Sequence, residues 1–445
     1  MAAIVTPLKT EAEKRLAEQF ATLKAELPGA GPVRQLREDA FAGFEAKGLP
    51  HRRLESWRYT DLRSLMRDAM PVARKAERSQ SIANRLAVQT VSGTRLVLID
   101  GMFSAADSDL PKLPSGLSVR PLAEALATDA DALAARLQGP EIAREDSALM
   151  LNAALAQDGV VIEIAPGTVL DRPLIVLSLS SGQREVALYS RVIVSVGAGA
   201  KVTLLELHES TGHAPIQVNH AIAFEVADSA QVEHVRMVTR QRADTVQVHT
   251  LLADLGAEVE FASVALTADS GVLRQQSFLR YGGEHTKAAL RGISLLRKQE
   301  HSDVTLVMDH AVPHCESREH FQTIVADEAT GVFQGKVVVR PHAQKTDGGM
   351  KSNALLLDEG ATMFNKPELE IFADDVVCGH GATVAQLDSE QLFYLMARGL
   401  PRAQAEALVL AAFAGVVSET LSDDEVREIF GREVEAWLAQ RGKAA

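Results

Sequence analysis

Hydrophobicity with a period of two, repeated in many short runs from about Val160 onward, is the feature that most restricts how this chain can fold. Alternation of this kind predicts β-strands, because successive side chains of a strand point to opposite faces. The runs follow one another so closely that almost no room is left for helices between them. Examples are VVIEIAPG, LIVLSLSSG, SRVIVSVGAG, KVTLLELHE, HAIAFEVAD, QVEHVRMVT, EVEFASVAL and GKVVVRP.

A short motif, in which a small residue is followed by a polar and then a β-branched residue, recurs within this part of the chain. It occurs at 199–202, 229–232 and 256–259, at intervals of 30 and 27 residues, and a related motif occurs at 360–362. Such an interval matches one coil of a parallel β-helix, in which each coil buries its inward side chains against its neighbours. An antiparallel sandwich is the alternative, but it predicts Asn-Gly or Asp-Gly hairpin turns, which are scarce here. The pattern favours the β-helix.

Helical periodicity frames the β-rich part on both sides. Apolar residues recur at three- and four-residue spacing through much of 9–85 and again in the alanine-rich stretch 123–137, with one strand, TRLVLID, between them. The sequence therefore predicts a helical or mixed region at 1–150, a parallel β-helix at 151–386 and a helical region at 387–445.

Capping signals predict three helices in the C-terminal region. Asp388 is placed to cap a helix that ends at Gly399, Pro401 can begin the next helix, and the sequence at 422–425 has the form of a capping box ahead of a third. Because the open end of a β-helix exposes unpaired strand edges, we expect the helical regions to cover the two ends of the solenoid.

Charge and composition exclude several classes of partner. The formal net charge is −13, whereas nucleic-acid and anionic-membrane binders usually carry a basic face. No run approaches the roughly 18 uninterrupted apolar residues of a membrane span, and the N-terminal sequence MAAIVTPLKTEAEKRL has charges where a signal peptide has its apolar run. We therefore expect a cytoplasmic protein. Its two cysteines, Cys315 and Cys378, are too few for a disulfide framework.

Two glycine-containing stretches resemble nucleotide-binding loops but lack essential residues. The stretch 331–337 has one residue too few between its glycines for a phosphate loop, and it has valine where a hydroxyl must reach magnesium. Gly197-Ala198-Gly199 lacks the third glycine and the following helix of a dinucleotide fingerprint. We predict that both stretches are turns between coils.

One short segment gathers several possible metal ligands, namely His310, His314, Cys315 and His320. Imidazole and thiolate groups are the usual ligands of zinc and related metals. The spacing matches no standard zinc motif, however, and strands can direct these side chains to different sides. A metal site and a set of unrelated surface or core residues therefore both remain open.

The stretch Cys378-Gly379-His380-Gly381 is the sharper candidate. On an extended chain, Cys378 and His380 project from the same face, and the flexible glycines let a bulky inorganic ligand approach the backbone. The pair is thus a candidate for binding a metal, with His380 the stronger ligand. A buried cysteine that acts as a small hydrophobe is the competing interpretation. A catalytic Cys–His dyad is a further alternative, although no protease or transferase signature accompanies it.

Two stretches of the sequence resemble a known protein family. The run GVFQGKVVVRPHAQKTDGGMKSNALLLDEGATMFNKPELEIFADDVVCGHGATVAQLDSEQLFYLMARGL resembles the core of the SufB/SufD family of iron–sulfur cluster assembly proteins. LESWRYTDL, near residue 57, resembles the N-terminal signature of the SufD branch. The resemblance covers most of 49–437. The SufB branch carries additional cysteines, and because this chain has only two, the SufD branch is the better assignment.

The resemblance implies both a fold and partners. The family fold is a right-handed parallel β-helix flanked by helical regions, in agreement with the residue pattern. A SufD subunit pairs with its paralogue SufB, and its C-terminal helices dock the SufC ATPase, which supplies the nucleotide hydrolysis. The resemblance therefore implies a non-catalytic scaffold, while an exposed β-helix edge makes a homodimer of the isolated chain plausible.

The resemblance also implies a site. Matched by motif, His380 is the histidine that takes part in forming a nascent iron–sulfur cluster at the interface with SufB, and Cys378 is the neighbouring thiol. In this interpretation the cluster is transient and no cofactor is stably bound to the chain. A flavin is possible only at the level of the whole complex.

Two other functions remain as alternatives. Carbohydrate-active enzymes use the same β-helix architecture, but they need a groove of catalytic side chains and usually an export signal. A purely structural β-helix that polymerises end to end is the other alternative, and the expected helical covers argue against it.

Overall fold

The chain forms a parallel β-solenoid with helices on either side of it in the sequence, as seen in a computed structural model that describes residues 9–76, 79–87 and 91–441. The first eight residues of the N-terminal stretch tested for a signal peptide lie outside the described residues. Successive strands of the solenoid alternate between two long sheets, which form its walls. The predicted class, a mainly β parallel solenoid with flanking helices, is confirmed.

Each coil of the solenoid contributes one strand to each wall. The strands are β1 Thr94–Ile99, β2 Met102–Phe103, β3 Leu117–Pro121, β4 Asp158–Ile164, β5 Leu174–Ser180, β6 Val186–Val196, β7 Lys201–Ser210, β8 Ile216–Val226, β9 Gln231–Val238, β10 Val246–Leu255, β11 Glu260–Ala268, β12 Val272–Tyr281, β13 Lys287–Leu296, β14 His301–His310, β15 Glu316–Val325, β16 Thr330–Val339, β17 Asp347–Leu356, β18 Thr362–Ile371 and β19 Val377–Ala385. We call the two sheets odd and even after the numbers of most of their strands. Within the described residues, the strand order is β19-β17-β15-β13-β11-β9-β7-β5-β1-β2 in the odd sheet and β18-β16-β14-β12-β10-β8-β6-β4-β3 in the even sheet. All neighbours are parallel except β1 with β2 and β3 with β4.

The repeat that predicted the solenoid is correct in its length but not in every alignment. Lys201 pairs with Gln231, as the first two motifs require. The third motif is displaced by two residues, because Glu258, and not Gly256, takes the place of Ser229 at the corner of the coil. Both residues have a left-handed backbone, with φ of 59° at Ser229 and 56° at Glu258. The motif at 360–362 belongs to the even sheet, where Thr362 donates its backbone N–H to Ala329.

Corners at equivalent positions of successive coils each contain one residue with a left-handed backbone conformation. His285, His314 and Lys345 continue the column of left-handed residues, with φ between 61° and 62°. Such a corner directs the backbone N–H along the solenoid axis, and His314 donates to the carbonyl of Gln344 at 3.0 Å in the next coil. Left-handed backbone is uncommon for residues other than glycine, so the hydrogen bonds between coils hold these corners in place.

Most of the N-terminal region packs on the outer face of the even sheet. Its helices are α1 Glu11–Leu23, α2 Pro32–Lys47, α3 Leu62–Leu65, α4 Gln80–Ala87, α5 Leu122–Thr128, α6 Ala130–Gln138 and α7 Ser147–Leu155. Helix α4 is the exception, because its Ile82 packs against outward side chains of the odd sheet. Apolar side chains of the helices, such as Phe41 and Leu151, cluster with outward side chains of the sheet, such as Tyr189 and Val248. Helices at 9–85 and 123–137, and a strand at TRLVLID, were therefore predicted correctly.

The sequence LESWRYTDL docks the N-terminal region onto the solenoid. Trp57 is buried, and its Nε1 donates to Asp146 at 3.0 Å. The guanidinium of Arg274, on the outer face of β12, lies 3.9 Å from the centre of the Trp57 ring. Arg274 in turn pairs with buried Asp303 on β14 at 2.6 Å. The motif is therefore part of a buried polar contact that joins two regions of the chain.

Three helices follow the solenoid in the described part of the C-terminal region: α8 Ser389–Met396, α9 Arg402–Ser418 and α10 Asp424–Arg441. Asp388 caps α8 by accepting from the backbone N–H of Glu390 at 2.8 Å, and Gly399 has the expected positive φ of 89°. The predicted capping box is wrong by one residue, because Asp423 accepts from Val426 while Ser422 binds Glu233.

The expectation that helices cover both ends of the solenoid is wrong for the end at β18 and β19. Helices α9 and α10 instead fold back along the outer face of the odd sheet, where Leu410, Phe430 and Trp437 pack against its outward aliphatic side chains. That face carries aliphatic side chains along many coils, so burying it stabilises the fold more than covering one coil. The last coil is left exposed, with β19 solvent-accessible over almost its whole length.

Of the two glycine-containing stretches predicted to be turns, only one is a turn in the structure. Residues 331–337 lie inside strand β16, so the prediction of a turn there is wrong. Gly197-Ala198-Gly199 is a turn as predicted, with a positive φ of 65° at Gly199. None of the described helices combines the length and the apolar character needed to cross a lipid bilayer.

Candidate functional site

Strand β19 carries Cys378 and His380 at the open end of the solenoid. The strand pairs with β17 in a register that sets Cys378 opposite Gly348 and His380 opposite Met350. Gly348 and Met350 are both buried and belong to the inward side of β17, so the alternation of the strand places Cys378 and His380 on the inward side of the last coil. Since no further coil of the described chain covers them, His380 is exposed to solvent.

Cys378 is half-buried and packs against the apolar interior. It lies above Gly348, where an added Cβ would come within 3.4 Å of the Cys378 Sγ. Burial raises the pKa of the Cys378 thiol, with a further contribution from the negative charges of Asp347 and Glu319. Among the described residues, no third histidine, cysteine or carboxylate completes a ligand group with this pair. The chain by itself therefore presents two neighbouring donors rather than a closed metal site.

Glu319 is a site residue that the sequence did not single out. It lies on β15 in the column of Met350 and His380, one coil inside Met350 and two coils inside His380. Its side chain is 1% exposed, and neither carboxyl oxygen has a hydrogen-bond partner in the described structure. Burial raises the pKa of Glu319 to about 8. A proton-carrying group is thus held behind the exposed pair. The period-two alternation of β15 would have marked Glu319 as an inward carboxylate.

The four residues of the segment at 310–320 do not come together. His310 is buried and stacks on Tyr281 with ring centres 4.1 Å apart, whereas His314 occupies a corner and stacks on His285 at 5.0 Å. Cys315 is fully buried in the apolar interior, and His320 points outward towards Asn353. Adjacent positions on strands and corners send these side chains to different sides, so they do not form one metal site.

A second group of polar side chains lies inside the solenoid, far along the chain from β19. Glu206 and His208 on β7, His220 on β8 and His234 and Arg236 on β9 are all at most 4% exposed. Burial by itself would raise the pKa of Glu206, but Arg236, His208 and His220 outweigh that effect and hold it well below its ordinary range. Burial lowers the pKa of His220 to about 4, so this imidazole is neutral near pH 7. The crowding of histidines after residue 207 was visible in the sequence, but their meeting depends on the register of the coils.

A groove of about 920 Å³ separates the N-terminal region from the outer face of the even sheet. Its cationic side chains are already paired with carboxylates: Lys366 with Glu55 at 2.8 Å, Lys336 with Glu370 at 2.5 Å and Arg340 with Asp309 at 2.7 Å. The groove is therefore close to electrically balanced, and it does not gather unpaired positive charge for an anionic ligand.

Comparison with known families matches nearly the whole chain. A model of the SufBD core domain, described as SUF system FeS cluster assembly, matches residues 178–413, which is more than half of the sequence. A model of the SufBD N-terminal region matches residues 11–176. The chain belongs to the SufBD family. It therefore has a role in iron–sulfur cluster assembly by the SUF system.

Individual SufBD relatives span most of the chain. The iron–sulfur cluster assembly protein SufD of Escherichia coli is 30% identical over 384 residues, which cover 86% of this chain and 87% of the relative. A SufBD family protein of Synechocystis is 29% identical and covers 84% of each chain. The chloroplastic protein ABCI7 of Arabidopsis thaliana is 26% identical over 93% of this chain and 88% of its own length. Membership of the SufBD family does not favour the carbohydrate-enzyme alternative.

Proposed function

We propose that this SufBD protein is a non-catalytic scaffold subunit whose open solenoid end pairs with a SufB-type partner and supplies His380 to a nascent iron–sulfur cluster. The observation that carries the proposal is the position of His380: exposed, on the inward side of a last coil that nothing else in the described chain covers. The cluster is cargo that is built between the subunits. The two free cysteines fit a reducing cytoplasm as the place of action.

The open end has the properties of a pairing surface. One edge of β19 has no strand partner among the described residues, and an unpaired edge is a template for another chain. Large apolar side chains surround it: Val377 is 72% exposed and Phe372 is 60% exposed. A partner with the same solenoid architecture can continue both walls and bury these side chains. In isolation, a second copy of the chain can take the same place.

The chemistry of the pair is consistent with half of a cluster site. An imidazole is a neutral ligand for iron at His380, and the Cys378 thiol becomes a thiolate ligand only when a metal displaces its proton, since burial raises its pKa. A cluster usually takes four ligands, so a partner must supply the rest. Glu319, which holds its proton near neutral pH, lies two coils behind the pair, with Met350 between it and His380.

His380→Ala is expected to lower the amount of cluster assembled on the complex at least about tenfold, because the substitution removes a side chain that binds the cluster directly. The measurement is the visible charge-transfer absorption of the complex co-purified with SufB-type and SufC-type partners after anaerobic reconstitution. His342→Ala, at an exposed histidine of the neighbouring corner, is the matched control. If His380→Ala enters the complex and assembles cluster at the rate of the control, the role assigned to His380 is wrong. A wild-type chain that never enters the complex overturns the scaffold proposal as a whole.

Helices α8 and α9 present the second proposed partner surface, which we assign to a SufC-type ATPase. Phe393 and Tyr394 on α8 are 72% and 57% exposed, and Leu408 on α9 is 51% exposed. Isolated apolar residues on a surface are ordinary, but adjacent aromatic side chains of this size mark interaction sites.

Phe393→Asp is expected to weaken binding of the ATPase subunit at least about tenfold, since truncating a buried anchor commonly costs more than 1.4 kcal/mol of binding free energy. The dissociation constant can be measured by isothermal titration with the purified ATPase subunit. Val169→Asp, which changes a residue that is 58% exposed elsewhere on the molecule, serves as the control. Equal affinities of the two variants would remove α8 from the interface.

A further inference from the structure

The geometry points to a second, buried metal site inside the solenoid, formed by Glu206, His208 and His220, that takes a divalent transition-metal ion such as Zn²⁺. One carboxylate oxygen and two imidazole nitrogens, all within 4.8 Å of one another, are the candidate ligand atoms. The site is separate from the exposed pair on β19 and does not depend on the function proposed for that pair.

The solenoid brings the three side chains together from two walls. On β7, Glu206 and His208 continue the inward series that begins with Val202 and Leu204. On β8, His220 comes two positions before the inward residues Ile222 and Phe224. Glu206 and His220 are fully buried, and His208 is 4% exposed. Among the described residues, a largely apolar interior thus contains one compact group of three metal-binding donors.

The three donor atoms lie somewhat closer to one another than the ligand atoms of a bound metal ion do. Glu206 Oε1 is 2.9 Å from His208 Nε2 and 2.6 Å from His220 Nε2. A tetrahedral ion with ligands at about 2.1 Å holds its donor atoms about 3.4 Å apart, so on binding these two separations must increase by about 0.5 and 0.8 Å. The His208 and His220 rings already have their centres 4.7 Å apart, against the roughly 5 Å of two imidazoles on one zinc ion.

His208 is not accounted for by hydrogen bonding alone. Its Nε2 lies near Glu206 Oε1 but outside hydrogen-bonding geometry, and it has no other partner in the described structure. The buried ring of His249 packs against His208 with centres 4.5 Å apart, and its Nδ1 also has no partner. Buried polar atoms without partners are costly, and an ion between the two imidazoles and the carboxylate would satisfy His208 Nε2.

The surroundings support the ligands in the way that metal sites require. Ser190 Oγ lies 2.8 Å from His220 Nδ1, which fixes the ring and leaves Nε2 directed at Glu206. The other carboxylate oxygen, Oε2, accepts from Arg236 Nε at 2.8 Å and lies 3.1 Å from His234 Nε2. Oε1 shares a hydrogen bond only with His220 Nε2, at 2.6 Å, and an ion bound between these two atoms would replace that bond. With neutral imidazoles and one carboxylate as donors, the site favours zinc-like ions over magnesium or calcium.

The test is the zinc content of the full chain after refolding with Zn²⁺ and removal of loosely bound metal by a chelator. It is performed in a Cys378→Ser/His380→Ala background, so that the exposed pair contributes nothing. About one zinc ion per chain is expected, together with a melting temperature several degrees above that of chain refolded without metal. His220→Asn should lose the zinc. His213→Asn, at an exposed histidine in the corner between β7 and β8, should keep it.

Two results would overturn the site. One is a zinc content below about a tenth of an ion per chain in the background protein, and the other is equal zinc in the His220→Asn and His213→Asn variants. Either result would mean that these side chains form a hydrogen-bond network around the Glu206–Arg236 ion pair and bind no metal. Should His220→Asn fail to fold, refolding the background protein with Co²⁺ decides the matter. Because the proposed ligands are nitrogen and oxygen atoms, intense visible bands of tetrahedral Co²⁺ without sulfur-to-cobalt charge-transfer bands would support the site. The absence of those visible bands would overturn it.

Discussion

Replacing Arg274 with methionine is expected to lower the free energy of unfolding by about 3–5 kcal/mol, because it leaves the Asp303 carboxylate buried without its cation. Arg274 is 1% exposed and Asp303 is fully buried, with 2.6 Å between Nη1 and Oδ2. The substitution also removes the hydrogen bond from Nη2 to the carbonyl of Ser56 at 2.8 Å and the contact with the Trp57 ring. Methionine retains most of the aliphatic volume, so the effect reports mainly on charge and hydrogen bonding.

Arg280→Met is the matched control on the same strand. Arg280 pairs with Asp254 at 3.1 Å, but both side chains are more than 40% exposed, so this pair contributes at most about 1 kcal/mol. Trp57 and Trp437 are the two tryptophans of the sequence, and a Trp437→Phe background makes fluorescence specific to Trp57. Denaturant titration in that background follows the N-terminal docking directly. Similar losses in the Arg274 and Arg280 variants would contradict the structural account.

The second large effect concerns pH and Glu319. Its folded-state pKa of about 8 lies above the ordinary value of 4.5, so the folded state binds a proton more tightly than the unfolded state. The associated stability is complete below about pH 4.5 and is lost progressively as the pH rises through 8. Glu319→Gln, which mimics the protonated form, is therefore expected to stabilise the protein at pH 8.5 by about 5 kcal/mol at most, and by less than about 1 kcal/mol at pH 5.

The measurement is the free energy of unfolding of wild type and variant at both pH values. Glu316→Gln is the control, since Glu316 lies on the same strand with its side chain 43% exposed and paired with Lys287. Other groups that titrate cancel in the difference between wild type and variant. A stability difference that does not change between pH 5 and pH 8.5 would show that Glu319 is ionised in the folded protein.

The solenoid was predictable because its determinants are local. Alternation of apolar residues identifies the strands, and the cap at Asp388 and the turn at Gly199 depend on a few neighbouring positions. The position of the C-terminal helices was not predicted, although a signal was present. Runs such as Leu204-Leu205 are buried at consecutive positions, which indicates a strand that is covered on both faces. That signal predicts an outer layer of helices along the wall rather than a cover at the end.

Of the candidate site, the sequence predicted the shared face of Cys378 and His380, because that follows from the two-residue period of one strand. The alternation of β15 marks Glu319 as inward, but the sequence could not predict that it lies behind this pair, or that the side chains around Glu206 meet. Those arrangements depend on how coils of slightly different length align: Gln231 pairs with Lys201, 30 positions earlier, and with Glu260, 29 positions later. A misalignment of one residue in any corner would reverse the faces of the following strand.

The docking of LESWRYTDL also bears on how the chain folds during synthesis. The carbonyl of Ser56 accepts from Arg274, 218 positions later, and Glu55 pairs with Lys366, 311 positions later. At translation rates of roughly 5–20 residues per second, these partners leave the ribosome about 10–60 s after the motif does. Throughout that interval Trp57 lacks the part of its docking surface that Arg274 supplies. Nascent chains of this protein therefore expose the N-terminal segment to chaperones and proteases until most of the solenoid has been made.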